Sequence, residues 1–335
     1  MTAKRNEPYL ALIAEEKSEG FTQSIQTRSL DDLPDHKVLI RVSYSSLNYK
    51  DALSASGNRG VTRNYPHTPG IDAAGVVVES CSPELKKGDE VIVTGYGLGM
   101  DTPGGFGQYI RVPTEWVIAL PPGFNLKQSM IIGTAGLTAV MSLDKLERMG
   151  LKPEDGEVLV TGATGGVGSM AVMLMASAGY QVCAVTGKTD RENFLMELGA
   201  SRVIDREIWL ENSIRPLLTP KWAAVIDTVG GPYLTQAVQS VMPSGSVACC
   251  GMIGSNELYT SIFPFIIRGI NLLGISSAEY PITEKIRLWA KLAVLIRPWM
   301  LEKLVTELSL KALPDEIQRM LCGKTAGRVI VNLWK

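Results

Sequence analysis

A glycine-rich turn stands between an apolar strand-like run and an apolar helix-like run near the middle of the chain. Ala163, Gly165 and Gly168 occupy the three positions of an A-x-G-x-x-G pattern within this turn. Glycine lets the backbone turn tightly and approach an anion, and the helix that follows offers unpaired N–H groups and a positive dipole end. The context predicts a pyrophosphate-binding turn of a dinucleotide site, and a turn with a purely structural role is the alternative.

The next predicted strand indicates which dinucleotide would bind. Sites specific for NAD usually place an Asp or Glu at the end of this strand, where it binds the 2′-hydroxyl of the adenosine ribose. This chain has Thr186, Gly187 and Lys188 there, and Arg206 follows the third strand. The side chains of Thr186, Lys188 and Arg206 can donate hydrogen bonds to a 2′-phosphate, so we expect NADPH. The alternative is that Lys188 and Arg206 are solvated surface charges.

The residue types needed for metal or hydrolytic catalysis are scarce. The chain has two histidines, His36 and His67, and no Cys-x-x-Cys pair, whereas a zinc site needs grouped Cys, His or carboxylate ligands. It also lacks the G-x-S-x-G sequence around the nucleophile of an α/β-hydrolase. We therefore expect no catalytic metal, and we expect NADPH to supply a hydride.

The elements that would position these residues change character along the chain. Up to about residue 130, short strand patterns are separated by turns that contain Gly and Pro, which predicts a mainly antiparallel β domain. A helix is predicted from Thr134 to Met149, where Gly150 ends it. The predicted strands of this part are Tyr9–Ile13, His36–Ser45, Gly75–Glu79, Glu90–Thr94 and Gln108–Val112.

From about residue 157, strands alternate with helices, which is typical of βαβ units and a parallel sheet. The predicted fold class is therefore α/β, a doubly wound parallel sheet of the Rossmann type plus the β domain. A last helix, Thr283–Ile296, and a last strand, Arg328–Leu333, are assigned to the first domain. The predicted strands are Val158–Thr161, 181–185, 202–204, Ala223–Asp227, Ser246–Cys250 and Asn271–Ile275, and the predicted helices are 166–178 and 190–198.

Composition and charge are those of an ordinary globular protein. Of 335 residues, 45% are hydrophobic and 20% are charged, and 33 basic residues nearly balance 34 acidic ones. This balance gives no global attraction to nucleic acid or to an anionic membrane, so we expect neither as a partner. The N-terminus lacks the apolar region of a signal peptide, and five scattered cysteines fit a reducing compartment. We expect a soluble, cytoplasmic protein.

Several segments resemble the medium-chain dehydrogenases/reductases, and specifically their zinc-free branch similar to quinone oxidoreductases. Within that branch, Ser45–Leu53 and Met130–Gly136 most resemble the bacterial NADPH-dependent acryloyl-CoA reductases. The similar segments follow the family's order over nearly the whole chain. They are Ser46–Asp51, Pro69–Gly75, Ile132–Ala139, the glycine turn at 162–168 and Ile226–Gly230.

The resemblance implies a GroES-like β domain and a Rossmann domain, with the active site in the cleft between them. We expect residues 1–130 and 278–335 to form the GroES-like catalytic domain and residues 131–277 to form the NADPH-binding domain. The resemblance also implies a homodimer, and a strand at the sheet edge, such as 272–275, is a candidate to pair across its two-fold axis.

The resemblance further implies which residues contact NADPH. Tyr49 would lie near the nicotinamide, and Thr186, Gly187, Lys188 and Arg206 would bind the 2′-phosphate. Lys188 departs from the family pattern, because close relatives often have Arg there. The remaining implied contacts are Gly165, Gly166, Val167, Gly168, Met252, Ile266 and Ser277.

The implied reaction is hydride transfer from NADPH to the β-carbon of acryloyl-CoA, which gives propionyl-CoA. Tyr49 is expected to position the nicotinamide or relay a proton. The alternative is that its side chain only lines the cleft. Asn48 could bind substrate or cofactor, but we favour the alternative that it ties down its loop. Lys50 and Asp51 are expected to form a local ion pair. Candidates for binding CoA phosphates, each with a solvated charge as the alternative, are Arg59, Arg63 and Arg268.

Three other functions stay open. A quinone reductase would use the same cofactor with a flat apolar acceptor cleft, and a reductase of free enals or enones is the second. The third is a sensor or structural protein that holds NADPH without turnover. The complete glycine turn and the segment around Tyr49 argue against this last function.

Overall fold

A computed structural model describes residues 8–210 and 215–335. The chain divides into two compact units. The first comprises the described residues up to Thr134 together with Ala278–Ala293 and Leu304–Lys335, and the second comprises Ala135–Ser277 and Val294–Lys303. This division differs from the predicted one at two places: residues 131–134 group with the first unit, and Val294–Lys303 groups with the second.

The first unit is built on mainly antiparallel sheets. Strands β1 and β2 form a two-stranded antiparallel sheet, and seven strands form a second sheet in the order β14-β15-β3-β4-β5-β7, with β6 paired to β3. Only the β14–β15 pair in this sheet is parallel. The bounds are β1 Pro8–Lys17, β2 Gly20–Ser29, β3 Val38–Leu47, β4 Asp72–Ser80, β5 Glu90–Thr94, β6 Tyr109–Val112, β7 Val117–Ala119, β14 Val305–Ser309 and β15 Arg328–Asn332.

Strand β3 contributes side chains to two apolar clusters of the first unit. Val38, Ile40 and Val42 point into the main apolar core, while Leu39 packs in a second cluster with Tyr9. The alternation follows from the two-residue period of a strand. The helices of this unit are α1 Tyr49–Ala55, the start of α2 (Leu126–Arg148), most of α8 (Ile282–Leu295) and α10 Leu313–Leu321.

The second unit is a six-stranded parallel sheet in the order β10-β9-β8-β11-β12-β13. The order reverses between β8 and β11, which is where ligands bind at the carboxyl ends of such sheets. The predicted fold class is confirmed. The bounds are β8 Val158–Val160, β9 Val182–Thr186, β10 Arg202–Asp205, β11 Trp222–Asp227, β12 Val241–Cys249, β13 Asn271–Gly274, α3 Gly166–Ser177, α4 Glu192–Glu197, α5 Arg206–Trp209, α6 Gly231–Ser240, α7 Phe263–Arg268 and α9 Pro298–Glu302.

Burial explains why the parallel strands were readily predicted. Every residue of β8, β9 and β11 is buried, as expected for strands covered on both faces, whose sequences are nearly continuous apolar runs. No helix among the described residues is long and apolar enough to cross a membrane.

Candidate active site

The glycine turn after β8 has the close backbone packing that the sequence predicts. Gly162 has a φ of 59°, a left-handed conformation that glycine adopts without strain. A Cβ atom on Gly168 would lie 2.8 Å from the Cα of Ala163 and would overlap the carbonyl of Gly162. The start of α3 therefore packs directly on the end of β8, which only glycine at position 168 permits.

The N-terminus of α3 is open to a ligand. Gly165 is the N-cap in an extended conformation, and no side chain caps this end of the 12-residue helix. Gly165, Gly166 and Val167 are half-buried, whereas Gly168 is buried. The first N–H groups of a helix have no partner within it and carry the positive end of its dipole. This turn fits the pyrophosphate of a dinucleotide.

The ends of β9 and β10 bring the predicted 2′-phosphate residues together. Arg206 lies against Gly187, since a Cβ added there would come within 3 Å of the guanidinium. Thr186 is buried, and its hydroxyl is 3.0 Å from that of Thr164. The positive charge here comes from the half-buried Lys188 and the exposed Arg206, and Arg206 also pairs with Glu207 at 3.0 Å. Burial, followed by the charge of Arg191, lowers the pKa of Lys188, and Arg191 is a basic neighbour that the sequence reasoning missed.

The remaining predicted cofactor residues lie in different parts of the two units. Met252 is 73% exposed and Ile266 is 68% exposed, both in the second unit. The hydroxyl of Ser277 lies 2.8 Å from that of Thr138. Tyr49 belongs to the first unit, where it is the half-buried first residue of α1.

A buried polar cluster lies in the first unit around Asp72, the first residue of β4. One carboxylate oxygen accepts hydrogen bonds from the Ser46 hydroxyl at 2.6 Å, the Asn48 amide at 2.9 Å and the Thr134 N–H at 2.9 Å. The other oxygen accepts the Thr134 hydroxyl at 2.6 Å. Asp72 is fully buried, so these bonds replace the water that a carboxylate requires.

Arg328, the first residue of β15, completes this cluster. Its guanidinium donates to the carbonyl of Ile131 at 2.8 Å and to the side-chain oxygen of Asn48 at 3.2 Å, while its Nη2 atom is buried without a hydrogen-bond partner. Gly133 interrupts α2 with a φ of 49°. A Cβ there would lie 2.7 Å from Asp72 and 3.0 Å from Arg328, so this glycine gives the two charged groups their room.

Asp51 adds a second buried carboxyl group to the first unit. It accepts the Ile71 N–H at 2.8 Å through one oxygen and the Asn48 N–H at 2.8 Å through the other. Burial, followed by the charge of Asp72, raises the pKa of Asp51 to about 7. The expected ion pair between Lys50 and Asp51 is wrong, because backbone and amide N–H groups occupy the carboxylate.

Asn48 has the bonds that the loop-anchoring alternative predicts. Its amide nitrogen lies 2.9 Å from Asp72 and 3.2 Å from Asp51, and its oxygen accepts from Arg328. Both donors and the acceptor of the amide are therefore engaged within the protein. Asn48 and Asp51 also form the capping box at the start of α1, which fixes the place of Tyr49 beside the cluster.

Two of the arginines considered for CoA binding are held by the protein itself. Arg268 donates to the carbonyls of Gln239 at 2.8 Å and Val241 at 3.3 Å, so it is neither a solvated charge nor free for a phosphate. Arg59 pairs with Glu16 at 2.6 Å and lies over the ring of Tyr65.

Comparison with known proteins places both units in one family. The model of the alcohol dehydrogenase GroES-like domain matches residues 34–122, and the model named zinc-binding dehydrogenase matches residues 166–292. An acrylyl-CoA reductase of Ruegeria pomeroyi, AcuI, is 40% identical over 96% of this chain and 98% of its own length. The chain belongs to the medium-chain dehydrogenase/reductase family. It is an oxidoreductase.

Solved structures of relatives in this family agree over the full length. The Escherichia coli protein YhdH, solved with bound NADPH, is 39% identical with a TM-score of 0.94, covering 96% of this chain and 99% of that one. The Bacillus subtilis protein YhfP, solved with bound NAD, is 41% identical with a TM-score of 0.94, covering 98% of this chain and 100% of that one. YhfP carries the name of a quinone oxidoreductase on a provisional basis.

One family model is named for zinc binding, and the described part of the chain does not group the ligands that a zinc site needs. Within residues 8–210 and 215–335, no three His, Cys, Asp or Glu side chains come together in a group that could hold a metal ion. His67 is buried in its loop, and burial lowers its pKa.

Sequence reasoning missed the cluster around Asp72. Asp72 lies within the Pro69–Gly75 segment that carries the family resemblance, but its role depends on Arg328, which is 256 positions later in the chain. A buried Asp at the start of a strand and an Arg at the start of another carry no local signal of pairing. Gly133 interrupts α2 in the structure, but in the sequence it directly precedes the helix predicted from Thr134 and so gave no sign of the cluster.

Proposed function

We propose that the protein reduces the α,β double bond of acryloyl-CoA with NADPH, giving propionyl-CoA. The observation that carries the proposal is the 40% identity with the Ruegeria pomeroyi acrylyl-CoA reductase, which extends over 96% of this chain and 98% of the relative. The aligned region extends over both units, so it spans the segments that hold Tyr49, Asp72 and the glycine turn.

Two charged side chains support NADPH as the electron donor. Lys188 and Arg206 lie at the ends of β9 and β10, next to the exposed Gly187. A carboxylate at this position would bind a 2′-hydroxyl and repel a 2′-phosphate, whereas cations attract the phosphate. The relative YhdH was solved with bound NADPH. YhfP was solved with NAD, so the preference needs a direct test.

The chain would contribute positioning and electrostatics to this reaction. When bound, NADPH supplies a hydride. Attack at the β-carbon of the thioester places negative charge on the thioester oxygen, and the α-carbon then takes a proton. Tyr49, at the start of α1, is our candidate to orient the nicotinamide or pass on that proton, and the Asn48 side chain holds it in place through the buried cluster. Orientation and charge stabilisation provide most of such accelerations.

A quinone is the second candidate acceptor. The observation in its favour is the 41% identity with YhfP, which is named for quinone reduction and matches 97% of this chain. The two candidate acceptors differ in chemistry, since a quinone has no thioester and no CoA phosphates.

The test is NADPH oxidation, followed optically, with acryloyl-CoA, free acrylate, an enal and a benzoquinone offered in parallel. We expect rapid turnover with acryloyl-CoA and slow or no turnover with the other three acceptors. NADH in place of NADPH is the matched control, and it should give a higher KM. Rapid turnover with the quinone alone would refute the thioester reaction and establish the second candidate.

We also propose that the protein is a homodimer that pairs through β13. This strand ends the sheet of the second unit, and edge strands are templates for pairing with another chain. Its residues alternate between half-buried and exposed, and Leu272 is 37% exposed. The adjacent helix α7 adds apolar exposure, since Ile267 is 60% exposed. Antiparallel pairing of two β13 strands would cover this surface.

Light scattering during size-exclusion chromatography tests this assembly. We expect the unaltered protein to have twice the mass of the chain, and Leu272→Lys to shift it to the mass of one chain because like charges would meet at the two-fold axis. Ile208→Lys is the matched control, since Ile208 is 80% exposed on α5 beside the opposite edge of the sheet. A monomeric unaltered protein would contradict the proposal.

A further inference from the structure

Asp227 is a fully buried carboxylate at the end of β11. One oxygen accepts the hydroxyl of Thr161 at 2.6 Å, and the other accepts the N–H of Gly230 at 2.8 Å. Thr161 directly follows β8 and precedes the glycine turn, whereas Gly230 precedes α6. The two oxygens of one side chain therefore hold two different turns at the carboxyl edge of the sheet.

Further hydrogen bonds close this connection into a ring. The N–H of Thr228 donates to the Thr161 hydroxyl oxygen at 3.1 Å, and the Thr228 hydroxyl donates to the Thr161 carbonyl at 2.8 Å. A Cβ atom on Gly162 would overlap the Thr228 hydroxyl. The first glycine of the phosphate-binding turn is thus packed against the turn that follows β11.

Burying the charge of Asp227 costs folding free energy. Burial raises its pKa, while hydrogen bonds from Thr161, Gly230 and Val229 act in the opposite direction. All the groups that hold it are neutral, and a buried carboxylate is tolerated only when such bonds satisfy it. Two apolar side chains would join β8 and β11 at lower cost but would not orient the Thr161 hydroxyl and the Gly230 N–H.

We infer that Asp227 is a positioning residue for the dinucleotide, which it serves by locking the turn after β8 to the turn after β11. The inference rests on the proposed use of NADPH. The pyrophosphate would meet the first turn, and the nicotinamide half would extend past the switch point between β8 and β11. Fixing both turns before binding removes the ordering cost that a mobile site would impose.

Thr161 offers the sharpest test, because its hydroxyl can be deleted without changing its shape. We expect Thr161→Val to raise the dissociation constant for NADPH about tenfold, measured by fluorescence titration. Thr161→Ser keeps the hydroxyl and should stay within about twofold of the unaltered protein. A Thr161→Val protein that loses thermal stability but binds NADPH normally would overturn the inference, because Asp227 would then be merely structural.

A second variant and a fragment extend the test. Asp227→Asn places an NH2 group against an N–H donor, so we expect it to weaken NADPH binding at least as much as Thr161→Val. Adenosine 2′,5′-bisphosphate does not reach the second turn, and its affinity should fall less than about threefold. Equal losses for NADPH and the fragment would refute a lock between turns. Failure of the unaltered protein to bind NADPH would instead refute the proposed function, and with it this inference.

Discussion

Replacing Arg328 by Met will lower the free energy of unfolding of the first unit by about 3–5 kcal/mol, the usual loss when one partner of a buried charged group is removed. Arg328 is only 2% exposed, and burial lowers its pKa, while the charges of the two buried carboxyl groups beside it, Asp72 and Asp51, act in the opposite direction. Met fills a similar volume but leaves the carbonyl of Ile131 and the oxygen of Asn48 without their donor.

The pH dependence of this loss of stability shows how much of it comes from electrostatic interactions. Without the guanidinium, the pKa of Asp51, which burial already raises, rises further in the folded state, so the folded protein binds more protons than the unfolded chain around that pKa. Stability then falls as pH rises. We expect the loss of stability in Arg328→Met to be smallest near pH 5 and to grow towards pH 8. This range contains the pKa of about 7 that Asp51 has in the unaltered protein.

Arg319→Met is the matched control for this experiment. Arg319 pairs with Glu316 at 3.0 Å on α10, but its side chain is 59% exposed, and exposed pairs contribute at most about 1 kcal/mol. Urea unfolding followed by tryptophan fluorescence would measure both variants. An Arg328→Met protein no less stable than Arg319→Met, or a deficit that shrinks as pH rises, would contradict the charge compensation described for the cluster.

Local patterns explain which parts of the fold could be predicted. The strand, glycine turn and helix from β8 to α3 are contiguous, and each step has its own signal: apolar β-branched residues, glycines, then an apolar helical run. Strand β2 was missed because its sequence, GFTQSIQTRS, is polar and half-exposed in a two-stranded sheet. Such a strand is specified by its partner β1 and carries little pattern of its own.

Long-range pairing explains what could not be predicted. Asp72 needs Arg328, and Arg328 needs the gap that Gly133 leaves in α2, so no single segment reveals the cluster. The assignment of Val294–Lys303 to the second unit has the same origin, because an amphipathic helix indicates that it packs without indicating against what. Arg268 looked like a free charge because the carbonyls it binds are remote in sequence.

Among Gly→Ala substitutions in the second unit, Gly168→Ala will cause the largest loss of cofactor binding. Its Cβ would lie 2.8 Å from both the Cα of Ala163 and the carbonyl carbon of Gly162, and these are backbone atoms that cannot rotate away. The start of α3 must therefore move off the end of β8. We expect the dissociation constant for NADPH to rise by a factor of about 100 or more, with a loss of stability of about 1–3 kcal/mol from overpacking.

Gly165→Ala distinguishes the effect of backbone packing on stability from the effect of ligand contact on NADPH binding. Its Cβ would meet only the Gly162 carbonyl oxygen, at 3.2 Å, and Gly165 is half-buried at the open end of α3. We therefore expect nearly unchanged thermal stability but weaker NADPH binding, because the methyl group would occupy space that the pyrophosphate needs. Calorimetric titration and thermal unfolding of the two variants give both quantities. If Gly165→Ala binds NADPH normally, the anion does not approach this turn, and the phosphate-binding role of α3 is wrong even if Gly168→Ala fails.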